Sequence, residues 1–146
     1  MHKVTPFLWF DIPLEGVVEF YASVFPNARI DSVTPTSASF VLEGQHFMAL
    51  NGGPMYRFTE AISFFVSCET QEEIDYYWSR LSGDGGAEGR CGWLKDRFGL
   101  SWQIVPSALG RYLSDSDRQR AERVMRAMLE MEKLNIAALD MAFAGG

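Results

Sequence analysis

Histidine and cysteine are scarce: the 146 residues include two of each, which leaves little material for a metal centre or a nucleophilic triad. Cys68 and Cys91 form no CxxC pair and read as two buried free thiols, small hydrophobes without a partner. No GxSxG elbow is present. His2 sits in a terminus expected to fray, and His46 follows a turn and is expected to face solvent. Basic residues number 13 against 19 acidic ones, for a net charge of −6, and they build no continuous patch. That excludes nucleic acid as an expected partner. No apolar run approaches the 18 or more residues of a membrane span, and the first residues lack the apolar core of a signal sequence, so a cytoplasmic protein with no membrane partner is expected.

What the chain has is apolar bulk, with 47% hydrophobic residues including 11 Phe, 5 Tyr and 4 Trp. A domain of this length buries roughly 70% of the surface its unfolded chain exposes, so residues 1–146 are expected to form a single domain with a real core. "PFLWF" (6–10) is a short aromatic run closed by Asp11 and Pro13, which suits a buried strand. In "LEGVVEFYASVF" the apolar residues Leu14, Val17, Val18, Tyr21 and Phe25 recur at helical spacing. "RIDSVTPT", "ASFVLEG" and "HFMALNGG" read as three strands punctuated by Gly44 and Gly52-Gly53.

The pattern then restarts. "AISFFVSC" (61–68) reads as a strand, and "TQEEIDYYWSRL" as a helix opened by Thr70 and Glu73 in capping-box spacing and burying Ile74, Tyr77, Trp78 and Leu81. "GDGGAEG" follows, a flexible connection from helix to strand, and then "CGWLKDRFGLSWQIVP" (91–106), two strands joined by an Asp-Arg-Phe-Gly turn. Asp96 is expected to form that turn by bonding backbone amides. From Pro106 onward the spacing is helical. Ala121, Val124, Met125, Met128 and Met131 fall on one side of one helix, and Ile136, Leu139 and Phe143 on one side of another.

Strand, helix, strands, stated twice, resembles the vicinal oxygen chelate superfamily of glyoxalase, bleomycin-resistance and dioxygenase proteins. Within it, "FLWFD", "SVFPNARI", "FMALNGGP", "AISFFVSCETQEEIDYYW", "CGWLKDRFGLSWQIVP" and "VMRAMLEMEKLNIAAL" resemble the PhnB-like branch, often labelled 3-demethylubiquinone-9 3-methyltransferase. The resemblance implies an α+β fold of paired βαβββ modules (5–53 and a shortened 60–106) forming a concave mixed sheet, with a helical extension over 107–146, in a homodimer. The extension is expected to cover a sheet edge or the partner subunit.

Many enzymes of the superfamily hold one divalent metal with His, Gln or Glu from four strands. Here the first of those positions falls on Phe7 or Leu8, the second near Ala49 or Asn51, the third near 61–63, and the fourth on Gln103. The oxygen donors this leaves are Asn51, Ser63 and Gln103, all neutral, so no catalytic metal is expected. No cofactor is expected either, because "GDGGAEG" lacks the GxGxxG register and leads into a strand. Strand alternation puts Phe7 with Trp9, Trp93 with Lys95, and Ser101 with Gln103, and turns Trp102 the other way. A small-molecule cavity lined by Trp9, Asn51, Trp93, Lys95 and Gln103 is the resulting expectation.

Three functions remain open on the sequence. The first is metal-independent small-molecule binding in that cavity. The second is an enzyme of unassigned reaction, with Asp11 or Glu60 as base and Lys95 or Gln103 polarising a carbonyl. The third is a dimeric structural or regulatory domain whose aromatics fill their own cavity.

Overall fold

The computed structural model describes residues 2–145, which divide into two units at the boundary between Phe58 and Thr59. In the first unit, β1 (Phe7–Phe10) leads into α1 (Leu14–Val24), followed by β2 (Ala28–Val33), β3 (Ser37–Leu42) and β4 (Gln45–Asn51). The sheet order is β1-β4-β3-β2. β1 runs parallel to β4, and the other pairs are antiparallel. Leu14, Val17, Val18, Tyr21 and Val24 of α1 are buried together with Leu8, Phe10, Phe40, Phe47 and Ala49 of the sheet. The β3–β4 hairpin turns at Glu43 and Gly44, whose φ angles of 47° and 83° match a two-residue turn with both central residues left-handed.

The second unit repeats the plan with β5 (Phe64–Cys68), α2 (Gln71–Ser82), β6 (Ala87–Glu88), β7 (Trp93–Lys95) and β8 (Ser101–Pro106). Its sheet order is β5-β8-β7-β6, with β5 parallel to β8. The shortened character of this half lies in β6 and β7, of two and three residues. β6 falls inside the Gly-rich stretch expected to be only a connection, and β5 starts at Phe64 rather than at Ala61. Thr70 caps α2 by accepting from the Glu73 amide, the half of the capping box its spacing predicts, while Glu73 accepts from the Glu69 amide at 2.8 Å, one residue before the cap. Ile74, Tyr77, Trp78 and Leu81 are buried.

Three helices follow, one more than the spacing shows: α3 (Leu109–Leu113), α4 (Arg118–Leu129) and α5 (Ile136–Ala144). They pack on their own unit, where Val105 of β8 joins Leu109, Val124, Leu134 and Leu139 in one cluster edged by Met128 and Met131. The Met-rich stripe is therefore partly core filler. The link between α4 and α5 is stitched to the start of β7 and to α2. The Cys91 and Gly92 amides donate to Met131 and Glu132 carbonyls at 2.8 Å. Gln71 donates to the Leu134 carbonyl at 3.0 Å and accepts from the Ile136 amide at 2.8 Å. Within its own unit the extension packs on Val105 of β8, the turn before β7 and the first turn of α2.

Candidate functional site

In the second unit the register sets one row across three strands, Phe65 opposite Gln103 opposite Trp93, and beside it Lys95 opposite Ser101. All five share the sheet face opposite Leu94, Trp102 and Ile104, which are buried. Gln103 donates through Nε2 to Ser63 Oγ at 2.9 Å. Lys95 forms an ion pair with Glu60, and the ammonium bonded to it holds the Glu60 carboxyl below the usual carboxylate range. Ser101 is 1% exposed, and its Oγ is without a hydrogen-bond partner. Glu60, Ala87, Glu88, Trp93, Lys95 and Ser101 line a cavity of about 270 Å³.

Trp102 turns away from this face, as alternation predicts. Its Nε1 donates to Asp96 Oδ2 at 2.9 Å, and Asp96 Oδ1 accepts from the Phe98 and Leu100 amides at 2.9 and 3.1 Å. Asp96 is a turn-former, and Gly99 supplies the left-handed residue that closes the turn.

In the first unit, Trp9 donates Nε1 to the Gly53 carbonyl at 2.9 Å and meets Tyr56 edge-on at a centroid distance of 4.9 Å. Its indole lies so close over Gly52 that a Cβ there would stand 2.4 Å from Cζ2. Asn51 does not share the Trp9 face. Trp9 registers with Leu50, whereas Asn51 registers with Phe10 on the side of Ala49 and Phe47. Its backbone amide donates to the Thr36 carbonyl at 3.0 Å. Asp11 is exposed in the bend after β1. Of the five residues expected to line one cavity, Trp93, Lys95 and Gln103 are brought together on one face, and Asn51 is turned from Trp9.

Neither thiol is part of this face. Cys68 is buried, and burial pushes its thiol up to about 12. Cys91 is only half-buried, at a φ of 57°, which corrects the expectation of two buried thiols. His46 lies within β4, half-buried, with the His2 ring 5.3 Å from its own.

The family comparison rests on most of the chain. The sequence pattern of the 3-demethylubiquinone-9 3-methyltransferase family matches residues 2–105. The chain belongs to that family. A Bacillus cereus structure described as a 3-demethylubiquinone-9 3-methyltransferase, PhnB protein, is 33% identical, covering 72% of this chain and 99% of its own, with a TM-score of 0.66. Two others show the fold alone. A glyoxalase-related enzyme from Fulvimarina pelagi is 16% identical over 74% of this chain and 91% of its own, with a TM-score of 0.54. A glyoxalase/bleomycin resistance protein from Albidiferax ferrireducens T118 is 13% identical over 72% and 99%, with a TM-score of 0.51. No curated protein matches the sequence. The family match ends at residue 105, just short of the helical extension.

Two groups that this fold and family imply can be tested against the residues present. For a divalent metal, Leu8 and Ala49 are buried apolar side chains, and Ser63 and Gln103 are neutral and bonded to each other. Among the described residues, no group of three or more His, Cys, Asp or Glu could hold a metal ion. The donors do not fit a divalent cation, which wants charged or imidazole ligands. For a nucleotide-derived methyl donor, the strand-to-helix joints of the two sheets are Asp11-Ile12-Pro13 and Glu69-Thr70, and neither offers the glycines of a phosphate-cradling turn. Also among the described residues, no helix is long and apolar enough to cross a membrane.

Phe65, Glu88 and Tyr56 escaped the sequence reading. Phe65 could have been found by alternation from Phe64 once Phe64 was paired with Trp102. Tyr56 lies outside any strand, and no periodicity marks it.

Proposed function

We propose that the chain is a metal-independent small-molecule-binding protein of the vicinal oxygen chelate type, with its ligand site on the Phe65–Gln103–Trp93 face of the second unit. One observation carries this reading: an aromatic row with Gln103 at its centre, beside Lys95, Ser101 and a cavity, on a sheet whose other face is packed. A mostly apolar wall with a few polar anchors is how small-molecule sites are commonly built. Gln103 stands where related enzymes keep a metal-binding acid, and its amide is committed to Ser63, which supports binding without a metal.

The enzyme reading is weaker on the same geometry. A carboxylate held below its ordinary range, as Glu60 is by Lys95, is a poorer base than a free one. The first unit leans toward a filled structural role, because Trp9 spends its N–H on Gly53 and covers Gly52. A homodimer belongs to the proposal, supported by Phe7 and Met48, paired in register and 57% and 44% exposed. So does a reducing, cytoplasmic setting, supported by two unpaired cysteines.

A thermal-shift screen of metals and metabolites tests the reading, since a ligand at 100 times its dissociation constant adds about 2.7 kcal/mol of stability. The expected result is no shift from any divalent metal, and a shift from an organic ligand that disappears in Trp93→Ala. A stoichiometric transition metal in untagged protein, lost in Gln103→Ala, overturns it.

A further inference from the structure

We infer that the groove along β7 takes a small, planar, uncharged ligand that hydrogen-bonds to Ser101 Oγ. This rests on the proposed binding role of that groove and narrows it to a ligand class. Its charged side chains are Glu60, Glu88 and Lys95, and all three are already engaged. Lys95 and Glu60 hold each other, and Glu88 Oε1 accepts from Trp78 Nε1 at 2.7 Å. Ser101 Oγ is different. Among the described residues it is the one buried side-chain polar atom without a partner.

A buried hydroxyl with no partner has given up water without replacing it, so a ligand group that reaches it gains a full hydrogen bond. Charged ligands meet the opposite situation. An anion must compete with Glu60 for Lys95, and a cation must approach Lys95. The polar demand left in the groove is neutral, and so is its complement. Trp93 contributes an aromatic wall, which favours a flat partner. Size sets a further limit, because about 270 Å³ holds about nine groups of water size at ~30 Å³ each. That is a single ring with one small polar substituent.

Benzamide, benzoate and benzamidine share that size and ring and differ in charge. Each is titrated calorimetrically into the full chain, into Ser101→Ala and into Trp93→Ala. Benzamide should bind about tenfold more tightly than either charged analogue, and Ser101→Ala should weaken it by about tenfold, the value of one ordinary hydrogen bond. Removing an unpartnered buried hydroxyl should leave the thermal midpoint unchanged or raised, so lost affinity in Ser101→Ala is separable from lost folding. Trp93→Ala should weaken all three alike. Equal or tighter binding of a charged analogue, or undiminished benzamide binding by Ser101→Ala, overturns the ligand class and leaves the groove's binding role standing. Absence of binding by all three also overturns the class, and a Trp93-dependent shift in the metabolite screen then decides the groove itself.

Discussion

Trp102 and Asp96 are joined by a buried hydrogen bond, indole Nε1 to carboxylate Oδ2 at 2.9 Å, which ties the start of β8 to the turn that precedes it. The same carboxylate holds the Phe98 and Leu100 amides, and Asp96 is 2% exposed. One side chain therefore fixes both the turn and the register that places Gln103 opposite Trp93.

Replacing Asp96 with Ala removes the acceptor of three hydrogen bonds, two of them buried. The expected cost is about 3 kcal/mol in denaturant unfolding, at the upper end for hydrogen bonds to a charged group. Trp102→Phe, which leaves the backbone amides satisfied, should cost less. A change under about 0.5 kcal/mol for Asp96→Ala would show that the carboxylate does not organise this turn.

Gly52 has no room for a side chain. A Cβ there would stand 2.4 Å from the Trp9 indole, and moving the indole breaks its bond to the Gly53 carbonyl. Gly52→Ala should destabilise the chain by about 1–3 kcal/mol, the usual range for overpacking. A double-mutant cycle with Trp9→Phe isolates the cause. The smaller ring should relieve most of the Ala penalty, and additive effects would point to backbone conformation instead.

Leu134 is fully buried among Val105, Leu109, Val124 and Leu139, and Gln71 clamps the backbone on both sides of Asn135. Leu134→Ala should cost about 3 kcal/mol, a typical buried large-to-small change. Gln71→Ala should cost about 1–2 kcal/mol through two lost side-chain-to-backbone bonds. Both effects should appear in monomeric and oligomeric fractions alike, because the contacts lie within one unit. Urea unfolding across a range of protein concentrations checks this.

Much of the fold was legible because short-range chemistry specified it. Helical spacing marked α1 and α2, Thr70 and Glu73 marked a helix start, and Asp96 with Gly99 marked a turn. The strand pairs that define the site were legible only through the resemblance, since pairing Phe65 with Gln103 joins residues distant in sequence. β6 escaped notice because two residues between glycines carry no periodicity. Which face Asn51 takes depends on the β1–β4 register, which a one-residue slip inverts and neither strand shows alone. Alternation puts Ser101 with Gln103, as the register has it, but that its hydroxyl lacks a partner is a property of the packed structure.

Cys68 and Cys91 should separate by reactivity. Burial raises the Cys68 thiol from 9.0 to about 12, so in the folded chain it stays protonated where an exposed thiol ionises, and the thiolate is the reactive form. In native protein at pH 8, a thiol reagent should modify Cys91, which is half-buried, well before Cys68, as peptide mass spectrometry would show. The same shift has a stability consequence whose sign follows from linkage. Below pH 9 both folded and unfolded Cys68 are protonated, and its contribution is fully present. Between pH 9 and about 12 the unfolded thiol loses its proton while the folded one keeps it, so stability falls as pH rises. Cys68→Ala should flatten that alkaline decline in chemical unfolding, after allowance for its pH-independent cost as a core truncation. An unchanged slope would show that Cys68 is not the group responsible.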